Sequence, residues 1–220
     1  TFCAQNLVAG ESMRWHSPEY VMGQVRDIVY GYGETKLTFH DDVFTLAPRR
    51  VNKLMELIIA EDHGLDFRIE TRADCLPDET LKLLKKAGCT RIKLGIESAV
   101  QRLLDLMNKN ITVATIENAV RRIQRVGIPM TANIICGYPT ELDSEARVTL
   151  EWCQRMGFDN VSASIYTAYF GTPDADRYPS IGIDDPAEMF HTNMNLLALS
   201  SVKPETVLEF LALNEGRPTR

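Results

Sequence analysis

The sequence predicts an α/β protein built on parallel strands, and three observations carry that expectation. Strand-like and helix-like segments alternate through five rounds, supplying the helical crossovers that consecutive parallel strands need. Within the strand-like segments apolar and polar residues alternate, so each strand has two chemically different faces. Third, Arg91-Ile92-Lys93-Leu94-Gly95-Ile96-Glu97 runs straight into a helical pattern with the carboxylate of Glu97 at the junction. Strand-to-helix junctions are where α/β folds keep their chemistry, and Glu97 is therefore expected on the floor of an active site.

The elements follow in order. Residues Thr1 to Trp15 show no sustained period and read as loop. Ser17-Pro18-Glu19 is a helix start, with Ser as N-cap, Pro at the first position and an acid in the first turn. Val21, Val25, Ile28 and Val29 share one face of that helix, and Gly31 and Gly33 end it. A strand spans roughly Lys36 to Asp41, and Asp42-Val43-Phe44-Thr45 is a polar turn. The next helix carries Val51, Leu54, Met55, Ile58 and Ile59 and closes near Gly64. Phe67 to Arg72 is a strand, and a helix opened by Leu76-Pro77-Asp78-Glu79 turns Leu81 and Leu84 inward before Gly88.

After the Glu97 strand, Ser98-Ala99-Val100-Gln101 reads as a capping box, the hydroxyl taking the N3 amide while Gln101 reaches back. The helix it opens carries Val100, Leu103, Leu104 and Met107. Another starts at the Thr112 cap with Val113, Ile116, Val120 and Ile123 and ends at Gly127. Met130 to Cys136 is a strand broken by Gly137-Tyr138-Pro139. A helix covers about Ser144 to Met156, and Asn160 to Tyr166 is the last clear strand. Beyond Gly171-Thr172-Pro173, a helix is expected over roughly Ala187 to Leu199. The tail from Ser200 is either a short helix or a disordered end.

Composition narrows the function. The 220 residues are 45% hydrophobic and 25% charged, ordinary for a soluble globular protein with one sizeable core. No apolar run approaches the roughly 20 residues that cross a bilayer. A net charge of −6 argues against non-specific nucleic-acid binding, which needs a basic face. Five scattered cysteines, an odd count, suit a reducing cytoplasm better than a disulfide framework. The chain opens on Thr1-Phe2-Cys3 and not on Met, so its beginning is expected to be missing.

The polar phase of the strands collects Thr38, His40 and Asp42, then Arg68, Glu70 and Arg72, then Lys93 and Glu97. It continues with Thr131 and Asn133, and with Ser162, Ser164 and Tyr166. Fully covered parallel strands read as continuous apolar runs, and these do not. Two structures fit: a barrel with a wide polar lumen, which the helical crossovers favour, or an open sheet with one face in water. In the barrel both signs of charge converge on one cavity, as a zwitterionic ligand requires.

Seven short stretches then fall in one order. They are Phe2-Cys3, Asp41-Asp42-Val43-Phe44-Thr45, Glu70-Thr71-Arg72, Gly95-Ile96-Glu97-Ser98, Met107-Asn108-Lys109, Gly137-Tyr138-Pro139-Thr140-Glu141 and Gly171-Thr172-Pro173. In that order and spacing, over roughly Thr1 to Pro173, the sequence resembles the radical S-adenosylmethionine superfamily. The nearest likeness is to members whose relatives carry a cobalamin-binding domain. The resemblance implies an α/β fold, a partial (β/α)6 TIM-like barrel of parallel strands lacking its first strand. It implies a core over residues 1–175, with a helical extension or the start of a following region over 176–220.

The superfamily's defining loop is Cys-x3-Cys-x2-Cys with an aromatic before the last cysteine. Its three thiolates hold a 4Fe–4S cluster whose fourth iron chelates S-adenosylmethionine; thiolate suits the soft iron of such clusters. Thr1-Phe2-Cys3 looks like the end of that loop. This makes Cys3 a metal ligand, places the other two before residue 1, and departs from the family in the chain as given. A bystander thiol is the alternative for Cys3. Cys75, Cys89, Cys136 and Cys153 have no metal-like spacing and read as small buried residues.

Further roles come with the resemblance. Phe2 is expected near the adenine, and Asp41 and Asp42 stand where a Gly-Gly-Glu or Gly-Gly-Thr segment usually meets the methionine amino group. Glu97 replaces a polar residue that meets the methionine or ribose end. Lys109 resembles a basic position for the methionine carboxylate, Asn133 one for the ribose hydroxyls, and Gly137 the turn beside the adenine. Plainer readings stand next to these: Asp41 and Asp42 as turn residues, Lys109 as a solvated helix end, Arg72 and Glu70 as an ion pair instead of ligand contacts. His16 and His40 read as loop and lumen-packing residues, and Tyr166 and Tyr169 as lining the substrate side.

The chemistry implied is reductive cleavage of S-adenosylmethionine to methionine and a 5′-deoxyadenosyl radical, or, in relatives that use cobalamin bound by another domain, methyl transfer through cobalt. The cofactor does the hard step while the protein positions it. A reductant protein such as a flavodoxin or ferredoxin is implied as partner, with a substrate not readable from sequence. No acid, base or nucleophile is assigned. As it stands, the chain is expected to hold little or no stable cluster. A cluster-free barrel serving as a binding or scaffold module is the competing reading. An ordinary barrel aldolase fits poorly, because Gly171-Thr172-Pro173 is a weak match to a phosphate loop.

Overall fold

The computed structural model describes residues 14–178 and 199–215, together with Cys3, Gln5, Leu7, Gly10 and Leu197. Helix α1 (Pro18–Tyr32) starts as expected: Ser17 Oγ accepts from Tyr20 N at 3.1 Å with Pro18 behind it. It runs through Gly31 and ends at Gly33, whose φ of 68° lets its N–H return to the Val29 carbonyl, the left-handed stop that glycine favours. Strand β1 (Lys36–Thr38) leads to α2 (Pro48–Glu61), which buries Val51, Leu54, Met55 and Ile58. Strand β2 (Asp66–Thr71) and a 3-10 turn at Ala73–Cys75 precede α3 (Asp78–Lys86). Acids at its start and Lys85 and Lys86 at its end complement the helix dipole.

Strand β3 (Cys89–Glu97) buries Ile92, Leu94 and Ile96 completely and leaves Arg91, Lys93, Gly95 and Glu97 partly open to solvent. Each of those apolar side chains contributes about 2 kcal/mol by leaving water. Short α4 (Gln101–Leu106) and α5 (Val113–Val126) follow, then β4 (Met130–Cys136), α6 (Asp143–Met156) and β5 (Asn160–Ile165). Helix α7 (Pro173–Arg177) is capped by Thr172, whose hydroxyl accepts from Ala175 N at 3.2 Å. Helix α8 (Pro204–Glu215) resolves the tail in favour of a helix. Most of the stretch from Ala187 to Leu199 lies outside the described residues.

Three expectations need correction. The first strand stops at Thr38, because Phe39 turns in to pack on Phe44 and Phe67 at centroid distances of 4.9 and 5.4 Å. Asp41 and Asp42 therefore leave the sheet on an exposed turn. Ser98 does not build a capping box. Its hydroxyl accepts from Val100 N at 3.1 Å and faces Thr149 Oγ1 at 3.3 Å. The helix begins three residues later, with Val100 at its N-cap. Gln5 and Leu7 are helical where loop was expected.

The strands hydrogen-bond in the order β1-β2-β3-β4-β5, all parallel, and the fold is an α/β partial TIM-like barrel. Register pairs Thr38 with Arg68, Arg68 with Arg91, and Glu70 with Lys93, with a one-residue irregularity at Phe67 and Arg68. Two compact units divide the chain. One (residues 14–95 and 114–131) packs α2 against α1 and α3 and pairs β1 with β2. The other (residues 1–13, 96–113 and 132–220) packs α8 on β5 and α6. There Asp143 Oδ1 accepts from Lys203 N at 3.0 Å and from Thr206 Oγ1 at 2.6 Å. Among the described residues no helix is long and apolar enough to cross a membrane.

Candidate active site

Glu97 ends β3 with a φ of 66°, a left-handed conformation that an ordinary side chain adopts at a cost. The alternation of β3 has by then set its side chain on the polar phase, and the left-handed step turns the chain out of the strand. Its Oε1 accepts from Lys109 Nζ at 2.5 Å, and the two side chains are only 14% and 6% exposed. Lys109 is no solvated helix end. It sits past α4, in the loop where Asn108 and Asn110 also take positive φ, and its N–H bonds the Leu104 carbonyl. A half-buried carboxylate beside a buried ammonium is a two-signed site, able to meet a zwitterion by exchanging partners.

The same unit holds Asn133, half-buried on β4, and Gly137. Gly137 has a φ of 76°, and a Cβ there would come within 2.5 Å of Leu197 Cδ2. The turn after β4 is organised by Glu141, for which no role was expected from sequence. Glu141 Oε2 accepts from Gly137 N at 2.6 Å and Tyr138 N at 3.2 Å. Burial pushes this carboxyl up to about 7, outweighing the two N–H groups that pull it down. Its local signal is an acid four residues after a turn glycine. Arg102 of α4 forks onto Glu145 and also donates to the Thr140 hydroxyl at 3.1 Å and carbonyl at 3.0 Å, pinning the turn from outside.

Tyr166 does not line an open side. It is 3% exposed, stacked edge-on against Tyr138 at 4.8 Å. Its hydroxyl has no partner of normal geometry among the described residues. Burial and the nearby Asp174 push that hydroxyl above the ordinary phenol range. Tyr138 Oη donates to Asp174 Oδ2 at 2.7 Å. Tyr169 is 44% exposed.

Asp41, Asp42 and Arg72 belong to the other unit. The turn bearing the two aspartates is anchored by Phe44 N to the Glu70 carbonyl at 2.9 Å and by Thr45 to Thr71 hydroxyls at 2.6 Å. Arg72 forks onto Asp74 at 3.0 and 2.8 Å, while Glu70 faces Lys93 at 3.5 Å. Cys3 is exposed, and its Sγ accepts from Gln5 N at 3.4 Å; Phe2 lies outside the described residues. Burial raises the thiols of Cys89 and Cys153 to about 12 and that of Cys136 well above its ordinary value. These three are protonated core residues. Among the described residues no three His, Cys, Asp or Glu side chains converge as a metal site, and Cys3 stands there as a single exposed thiol.

A family model described as the Radical SAM superfamily matches residues 1–177. The chain belongs to the radical SAM superfamily. Among similar proteins, the uncharacterized methyltransferase PH0819 of Pyrococcus horikoshii is 30% identical over 171 residues, covering 78% of this chain and 37% of the relative. The anaerobic magnesium-protoporphyrin IX monomethyl ester cyclase of Rubrivivax gelatinosus is 28% identical over 210 residues, covering 94% of this chain and 37% of its own length. The chain thus spans 37% of each of these relatives. The radical S-adenosylmethionine methyltransferase TsrM from Kitasatospora setae, solved with cobalamin and a 4Fe–4S cluster, shares the fold. Its TM-score is 0.72 at 16% identity, covering 93% of this chain and 49% of that one.

Proposed function

We propose that this radical SAM chain is the core of an enzyme that binds a 4Fe–4S cluster and S-adenosylmethionine and cleaves the latter to a 5′-deoxyadenosyl radical. Support for methyl transfer comes from the likeness to TsrM, a methyltransferase solved with cobalamin, and to the Pyrococcus relative, named a methyltransferase. The observation that carries the reading is the Glu97–Lys109 pair at the end of β3. A buried ammonium and carboxylate in contact present both charges a methionine moiety needs, and a zwitterion replaces their mutual contact without leaving either charge unpaired. Lys109 is assigned the carboxylate and Glu97 the methionine amino or ribose end. Asn133 takes the ribose hydroxyls, and Phe2 and Gly137 the adenine. The cluster, when bound, supplies the electron for cleavage; these residues hold and orient the nucleotide. We assign residues 1–175 to the core and 176–220 to an extension that supports it through α8, and a reductant protein and an unidentified substrate as partners.

The test is anaerobic reconstitution of the chain together with whatever coding sequence precedes Thr1. Stoichiometric iron and sulfide are expected, lost in Cys3→Ala, whereas the 220-residue chain alone takes up little. Equal iron with and without Cys3 contradicts its assignment. No cluster in either form leaves the binding-module reading standing.

A further inference from the structure

The polar face of β1, β2 and β3 carries its charges in rows. Lys36 is in register with Asp66, and Glu70 with Lys93, which it meets at 3.5 Å. Both rows are neutral. The row between them holds Thr38, Arg68 and Arg91 in register. At the end of that row the Arg91 Nη1 donates to Thr131 Oγ1 at 3.3 Å. Arg68 is exposed and Arg91 half-buried. Among the described residues no carboxylate forms an ion pair with either, although carboxylates neutralise the rows on both sides.

Neighbouring parallel strands lie about 4.8 Å apart, so the two arginines stem from adjacent positions on one face, and like charges so placed disfavour a sheet. An anion between them reverses the sign of the interaction. Guanidinium forks match the planar oxygens of a carboxylate or the tetrahedral oxygens of a phosphate, and two adjacent forks hold such a group bidentately. We propose that Arg68 and Arg91 form an oxyanion site on the sheet face, and that the substrate of this chain carries a carboxylate or phosphate group bound there. The assignment of the anion to the substrate rests on the enzymatic reading above; the site itself does not.

The probes are inorganic phosphate and acetate, titrated calorimetrically into the 220-residue chain at low ionic strength. Saturable binding of at least one is expected, weakened tenfold or more in Arg68→Gln/Arg91→Gln and unchanged in Arg49→Gln, an exposed arginine on α2. The tighter of the two probes identifies the group. Without ligand, Arg68→Gln melts at or above the wild-type temperature, because a repulsion is removed. Binding that is absent, or equal in the double variant and wild type, overturns the proposal. Displacement of phosphate by S-adenosylmethionine overturns it too, since the site is then the cofactor's. The measurement needs no cluster. A chain that binds phosphate but never cleaves S-adenosylmethionine therefore contradicts the enzymatic reading alone.

Discussion

Glu141, a residue only 1% exposed, accepts the Gly137 and Tyr138 N–H groups, and burial lifts its carboxyl from 4.5 to about 7. Glu145 raises it further and Arg102 lowers it. Between those two values the folded chain holds more proton than the unfolded one. Stability from this group is full below the unfolded value and is lost as pH rises through the folded one. The span corresponds to about 3 kcal/mol at most. Urea midpoints of wild type are expected to fall over this window, and those of Glu141→Gln to fall less; parallel curves would show Glu141 ionised in the fold. Tyr138 offers a second residue-level test. Tyr138→Phe removes the donor to Asp174, itself 2% exposed, and is expected to cost about 2 kcal/mol. Tyr166→Phe removes a hydroxyl without a well-formed bond and is expected to cost close to nothing, as chemical denaturation would reveal.

Helix α4 has only six residues, Gln101–Leu106, too few to stand without tertiary support. Support comes from Gln101, which reaches Asp105, the Ile111 carbonyl and Val113 N, and from the Arg102 fork across to α6 and Thr140. Arg102→Ala is expected to cost about 1–2 kcal/mol, held down by solvent screening of a half-exposed pair. It is also expected to speed amide exchange at Tyr138 and Glu141 while leaving α2 untouched. Unchanged exchange would show that Glu141 alone holds the turn. This element also shows where local pattern fails. Ser98 looked like half of a capping box, and its partner is Thr149, 51 residues away. By contrast β4 spans Met130–Cys136 as the local pattern indicates, its end marked by the left-handed Gly137.

For the molecule as a whole, alternation of strand and helix made the parallel α/β order legible, since each crossover is written in local periodicity. Glu97 was legible for the same reason, as a carboxylate where a strand ends. Its pairing with Lys109 over a twelve-residue gap was not, and neither was the buried work of Glu141, which local polarity makes look like a surface acid. The neutral rows on either side of Arg68 and Arg91 also needed strand register, which no single strand contains. Whether Cys3 ligates a cluster was not legible from local pattern either, because among the described residues no other side chains join it as a metal site. The central claim, that Glu97, Lys109 and Asn133 hold S-adenosylmethionine for reductive cleavage, is tested most directly by dithionite treatment of the cluster-loaded, upstream-extended chain with S-adenosylmethionine. Formation of 5′-deoxyadenosine and methionine is predicted, falling tenfold or more in Glu97→Gln and Asn133→Ala at unchanged iron content. A loaded chain that forms none, or variants that match wild type, would contradict it.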